Sequence, residues 1–267
     1  MPEGLRIVVC FKYSLDVDEI QVDLNNNTPI FKGVPRKISD FDKNALEAAI
    51  KLKETNGGEV IVVTACSEDP SKGVKEALAM GADSAYIVSH PVLNEADAYS
   101  TSLILAKIIS KMNSYDLILC GEASIDGFSG QVPAALAEWL DVPQLTYARD
   151  ISLDAGKVLV ERTLEEGYPV VETLLPALIS VTGEINEPRI PSLMMIMKAS
   201  KKPITTLTLD DLDLTPEQVG VAGSPVQTKN IIVPPSERKQ ILLEGKTPQE
   251  IVEKLVKELD KQRVIGV

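Results

Sequence analysis

Short, unbroken apolar runs alternate along the chain with longer segments whose apolar residues recur at helical spacing. The runs are RIVVCF (6–11), EVIVVTAC (59–66), SAYIVS (84–89) and YDLILCG (115–121). Unbroken runs of this kind are what strands buried on both faces require. Between them, DKNALEAAIKLKE (42–54) sets Leu46, Ala49 and Ile50, flanked by Leu52, on one side with lysines opposite. That spacing predicts an amphipathic helix. DPSKGVKEALAMGA (69–82) opens on Asp-Pro and closes on Gly81, the order of helix start and stop signals. EADAYSTSLILAKIISKMN (95–113) is the longest helical pattern, and GQVPAALAEWLD (130–141) follows the fourth strand. Strand–helix alternation with buried strands predicts an α/β fold on a doubly wound, mostly parallel sheet.

Two further β-rich segments, KVLVERTL (157–164) and PVVETLLPALISVTG (169–183), read as an antiparallel extension of that sheet. The sheet is expected to close near residue 184. Residues 204–235 hold short apolar pieces broken by Asp, Gly and Pro, which predicts an extended C-terminal arm with little core of its own. PQEIVEKLVKEL (248–259) returns to helical spacing. The expected organisation is an α/β domain over 1–203 and an arm with a helix over 204–267.

A chain of 267 residues can bury a full core. Its net charge of -12 argues against nucleic acid or an anionic membrane as the main partner, because phosphate binding needs a basic field. No apolar run reaches the roughly 20 residues of a membrane helix. MPEGLRIVVC lacks the basic start and apolar centre of a signal peptide, so a cytoplasmic location is expected. Three cysteines with no close pair suit a reducing compartment and exclude a disulfide framework. The one histidine, His90, stands before Pro91 and reads as a loop residue. Histidine-based metal binding and acid–base catalysis are therefore not expected.

In open parallel sheets, ligands bind outside the carboxyl ends of the strands. Cys10, Cys66 and Cys120 each fall at such an end, and the plain reading of all three is small buried hydrophobes. CGEASIDGFSGQVPAALAEWL (120–140) is more informative, because a strand there enters a loop with Gly121, Gly127 and Gly130 and then a helix. The amides of Ser129, Gly130 and Gln131 would point outward at the helix start, where the dipole favours phosphate. Neither G-x-G-x-x-G nor a Walker lysine motif is present, so an ordinary strand–helix turn remains an alternative.

At this point several segments together resemble the beta subunit of an electron-transfer flavoprotein, over residues 6 to about 260. RIVVCFK is similar to the family's opening strand, and ISDFDKNALEAAIKLKE to its N-P-F-D-x-x-A-L-E-x-A segment. KEALAMGADSAYIVS matches L-A-x-G-A-D-x-A, and CGEASIDGFSGQVP resembles G-x-Q-A-I-D-G-D-T-x-Q-V-G-P. LPALISVTGEINEPRIPSL matches L-P-A-V-x-x-V running into N-E-P-R-x-x-S-L, which is the specific signature.

The resemblance implies a heterodimer with a homologous alpha subunit that holds the electron-carrying FAD. It implies an electron carrier subunit rather than an enzyme in its own right. The beta subunit of this family binds a second adenine nucleotide, AMP in the simple carriers and FAD in the electron-bifurcating, NADH-oxidising members. Carried over by position, the contacts would be Cys10 and Phe11, then Ser39 and Asp42, then Ala65 and Cys66. The principal set would be Ser124, Asp126, Gly127, Ser129, Gly130, Gln131 and Val132. This chain departs from the family pattern at Ser39-Asp40, at Phe128 and at Pro133-Ala134. Small or apolar residues stand where AMP-type members carry asparagine and threonine, so FAD is the favoured cofactor.

By the same resemblance, NEPRIPSLMMIMKASKKP (186–203) is a recognition loop and short helix that docks on flavin dehydrogenases. Leu193 would enter the partner's pocket, with Met194 and Lys198 beside it, while Ile196 and Met197 are expected to pack inward. Pro188 and Pro191 prevent a regular strand there. The 204–235 arm would wrap the alpha subunit, and Arg162 in VERTL would face that interface. Electrons would pass on to a quinone or to a ferredoxin- or flavodoxin-type acceptor. Two rival classes are ATP-dependent ligases and small stress-response nucleotide-binding proteins. The first needs S-G-G-x-D-S after the first strand, where FKYSLDVDEI stands instead; the second lacks the NEPR segment.

Overall fold

The structure is a computed structural model describing residues 4–23, 25–94, 96–234 and 240–265. Its first part runs β1 (Leu5–Cys10), β2 (Tyr13–Leu15), β3 (Gln21–Asp23), β4 (Thr28–Ile30) and β5 (Arg36–Ile38). Then come α1 (Asp40–Asn56), β6 (Gly58–Cys66), α2 (Ser71–Met80), β7 (Ser84–Ser89) and α3 (Ala98–Ser110). The middle part is β8 (Leu117–Gly121), α4 (Gln131–Leu140), β9 (Gln144–Asp154), β10 (Lys157–Arg162), β11 (Val170–Leu174) and β12 (Ala177–Val181). The last part holds α5 (Leu193–Ala199), β13 (Ile204–Leu207), α6 (Pro216–Val219) and α7 (Pro248–Lys261).

Among the described residues, nine strands make one sheet in the order β11-β10-β9-β12-β8-β1-β6-β7-β13. Every pair from β9 to β13 is parallel, whereas β9–β10 and β10–β11 are antiparallel. The predicted doubly wound, mostly parallel sheet with an antiparallel extension is therefore present. Alternation along the strands splits the core. Ile7, Val9, Val60 and Val62 face α1 and α2, while Val8, Ile61, Val63 and Ile118 face α3 and α4.

The sequence reading misplaced three things. The segment 169–183 is two strands, and only β11 is antiparallel; β12 runs parallel in the middle of the sheet between β9 and β8. A bend at Leu175-Pro176 separates them, so one apolar run was read where two strands exist. The sheet also does not close near residue 184. The chain crosses the α1–α2 face and adds β13 beside β7 at the far edge. Finally, the segment after 204 has core of its own, because Leu209, Leu212, Leu214 and Val219 are buried against the α3 side. The helix predicted from residue 95 begins at Ala98, with Asp97 as its N-cap; Glu95 lies outside the described residues. So do Pro235 to Arg238 of the arm's IIVPPSER piece.

Candidate functional site

The winding reverses between β1 and β8. The chain steps outward from β1 through β6 to β7, then returns to β8 on the other side. Ligands of open α/β sheets bind at that switch point. Here it opens into a cleft of about 530 Å³. The strand tips supply Cys10 and Phe11 from β1, Ala65 and Cys66 from β6, and Cys120 and Gly121 from β8. The 123–133 loop, the start of α3 with Thr101, and Val226 and Thr228 of the arm complete the lining.

Asp42, in the first turn of α1, ties the floor together. Its Oδ2 accepts the Lys12 N–H at 2.8 Å and its Oδ1 accepts the Gly121 N–H at 2.9 Å. Burial pushes its carboxyl from 3.8 up to about 7, against the opposing pull of those two amides and the Lys12 charge. Ser39 does not reach the cleft. It is fully buried, and its hydroxyl accepts the Ile125 N–H at 3.1 Å, supporting the loop from beneath.

The loop is a tight turn. Ser124 O accepts the Phe128 N–H at 2.9 Å, and Ser124 Oγ accepts the Gly127 N–H at 3.3 Å. Gly130 caps α4 in the left-handed region at φ +63°, a conformation that costs glycine little. Among the described residues, the Ser129 and Gly130 amides then have no acceptor within the protein. The first α4 amides are orphaned for the usual reason at a helix start. Beside them, Lys12 Nζ donates to Asp126 Oδ1 at 2.7 Å and sits 3.5 Å from Ser124 Oγ. Burial opposes ionisation of Asp126, yet the Lys12 charge and hydrogen bonds from Lys12 and Ser124 hold its carboxyl below the ordinary value.

Free amides, an ammonium group and a helix start form a donor set for phosphate, while the strand tips offer an apolar floor for a flat ring. Apart from Ser39, the candidate nucleotide contacts all line this cleft. The thiols do not look reactive. Cys120 is raised by its hydrogen bond with Cys10 and by burial, and burial pushes Cys66 up to about 11. Lys12, Thr101, Val226 and Thr228 were missed. Lys12 follows the β1 run directly and could have been read as a strand-tip residue; the others arrive only through long-range folding.

The NEPR segment is stapled to α1. Asn44 Nδ2 donates to Asn186 O at 2.7 Å, and Asn186 Nδ2 donates to Asn44 O at 3.0 Å. Arg189 pairs with Glu47 at 2.8 Å and with Glu54 at 2.6 Å. Downstream, Lys202 Nζ donates to Leu78 O at 2.9 Å and to Ala82 O at the end of α2. Held at both ends, α5 projects Leu193 and Met194, exposed at 75% and 65%. Ile196 and Met197, expected inward, are exposed as well at 51% and 66%. The face turned to the protein is instead made by Ala199, which is buried, and Met195, which is half-buried. Lys198 is exposed beside them. Arg162 is committed within its own sheet, with Nε donating to Thr146 O at 2.7 Å and the guanidinium to Thr146 Oγ1 at 2.8 Å.

Comparison with known proteins bears on this arrangement. Residues 30–212 match the family model described as "Electron transfer flavoprotein domain". "Electron transfer flavoprotein subunit beta" of Thermoanaerobacterium thermosaccharolyticum is 39% identical over 98% of this chain and 100% of its own length. "Caffeyl-CoA reductase-Etf complex subunit CarD" of Acetobacterium woodii is 39% identical over the same shares. The Bacillus subtilis beta subunit is 37% identical over 94% of this chain and 96% of its own. A chain matched end to end in this way, and with a cleft at its switch point, belongs to the electron transfer flavoprotein family among its beta subunits.

Proposed function

We propose that the switch-point cleft holds an adenine nucleotide, FAD in preference to AMP, and that the chain is the beta half of a heterodimeric electron carrier. The observation that carries this is that the Ser129 and Gly130 amides, unpartnered among the described residues, line one cleft with Lys12 beyond the tips of β1 and β8. Gly127 and Gly130 keep side chains off the loop, and the nearest atom to a Cβ at Gly130 would be Glu122 O at 3.5 Å. That leaves width for a pyrophosphate, which supports FAD. Bound there, FAD supplies hydride acceptance and one-electron donation. The chain's residues bind the phosphates through amides and Lys12, and shield the ring system behind the strand tips.

The exposed apolar centre of α5 between charged neighbours fits docking to a flavin dehydrogenase. The name of one relative, a subunit of a caffeyl-CoA reductase complex, supports a redox partner of acyl-CoA type. The amphipathic α7 and the arm, whose apolar residues are largely exposed, suit burial against an alpha subunit. With a second flavin on that subunit, the pair would relay electrons between dehydrogenases and a quinone or a ferredoxin- or flavodoxin-type acceptor, with NADH-dependent bifurcation as the accompanying reaction. Co-expression with the alpha subunit, followed by flavin and AMP counting, tests this. Two flavins and no AMP per heterodimer are expected. One flavin with one AMP overturns the FAD assignment, and one flavin with no second nucleotide overturns the cleft reading.

A further inference from the structure

We propose that Asp42 is a positioning residue for the nucleotide: its carboxylate holds the diverging tips of β1 and β8 in the spacing that the phosphate loop and Lys12 need. This rests on the cleft reading above. The β1–β8 ladder runs from Ile7↔Leu117 to Val9↔Leu119 and then stops. Beyond it the strands part to open the cleft, and the Phe11 N–H turns away to Val63 O at 3.0 Å. Asp42 enters the fork from α1. Its two oxygens take the Lys12 and Gly121 amides, one from each side, so both face the main chain rather than a ligand.

The fit at the fork is close. A Cβ at Gly121 would stand 2.6 Å from Phe41 Cβ and 2.8 Å from Asp42 Oδ1, so only glycine lets the β8 tip approach the carboxylate. From Lys12 the chain delivers the ammonium to Asp126, and from Gly121 it enters the loop that carries the free amides. A spacing error at the fork therefore displaces both halves of the phosphate site together.

The clasp depends on charge. A carboxylate accepts at both oxygens, whereas a protonated carboxyl turns one of them into a donor that finds an amide facing it. The groups bearing on Asp42 are Lys12 after β1, Asp126 in the loop and the Cys120 thiol, itself bonded to Cys10. Asp126 stays ionised and Cys120 stays protonated near neutrality, because one is lowered and the other raised. Asp42 is the member of this group placed to titrate at about 7.

The test is calorimetric binding of FAD and of AMP to the full chain freed of nucleotide, for the native protein and Asp42→Asn. The ratio of native to variant affinity is expected to rise about tenfold from about pH 6 to about pH 8, as the competent, ionised fraction grows. Taking the ratio cancels titration of the AMP phosphate. Should the variant fail to fold, the native profile with FAD decides alone, because its pyrophosphate does not titrate in that range. A flat or falling profile overturns the clasp and leaves the cleft reading standing. A folded native chain that binds neither nucleotide at any pH overturns both.

Discussion

The guanidinium of Arg189 and the buried carboxylate of Glu47 stand 2.8 Å apart across 142 residues of sequence. This pair fixes the segment leading to α5 against α1, and the second carboxylate, Glu54, holds the other edge of the guanidinium. The two carboxylates raise the Arg189 pKa above its ordinary value, and Glu54 is lowered chiefly by its hydrogen bond with Arg189. Arg189→Gln would leave the buried Glu47 with the exposed Lys51, at 4.0 Å, as its remaining cation. A loss of about 3 kcal/mol in denaturant unfolding is expected, with a larger loss in dehydrogenase docking than stability alone explains.

Leu193 presents the opposite case. At 75% exposure it contributes little to the fold, so Leu193→Ala should change unfolding free energy by less than about 0.5 kcal/mol. Electron transfer from a partner dehydrogenase should fall through weaker docking, by about tenfold or more if the side chain fills a pocket. Stopped-flow reduction of the heterodimer measures this. Because Ile196 and Met197 are also exposed, their alanine variants should lower transfer without lowering stability.

Lys12 separates charge from packing at the cleft. Lys12→Met keeps the length of the side chain and removes the ammonium. It should weaken nucleotide binding by about 1.5–3 kcal/mol, the worth of a charged hydrogen bond, and reduce the salt dependence of binding. Stability should also fall, because the largely buried Asp126 carboxylate loses its partner even though the Lys12 side chain itself is half exposed. Calorimetry at two salt concentrations separates the effects.

How far the sequence carried can be judged from particular residues. The parallel strands were legible because RIVVCF and YDLILCG are apolar throughout, and the cleft followed from where those runs end. The 144–154 strand was missed, since its alternation of half-buried and exposed positions carries no continuous apolar signal. β13 was missed because ITTL is mostly exposed at a sheet edge, where pairing rather than burial makes the strand. Within the site, the glycine loop announced itself through its backbone demands. The place of Lys12 and the bonds of Asp42 to the Lys12 and Gly121 amides depend on contacts between distant segments, which no local pattern encodes.

Asp42 also sets a stability profile. Its folded pKa, about 7, lies above the ordinary 3.8, so the native state holds this proton more tightly than the unfolded chain does. The resulting stabilisation is complete below about pH 4 and is lost as pH rises to about 7, with an upper bound on the order of 4 kcal/mol. Carboxyls with lowered values, such as Asp126 and Glu54, act in the other direction, adding stability above their unfolded values and losing it as pH falls. The difference between native and Asp42→Asn unfolding free energies isolates the one group, and it should shift against the native protein between about pH 4 and about pH 7. Over the upper part of that window nucleotide binding should improve, because the form that burial penalises is the one that accepts both strand-tip amides. Stability and affinity moving in opposite directions with pH, and each losing this group's share of the dependence in Asp42→Asn, is the combination expected of a desolvated carboxylate retained for the geometry it imposes.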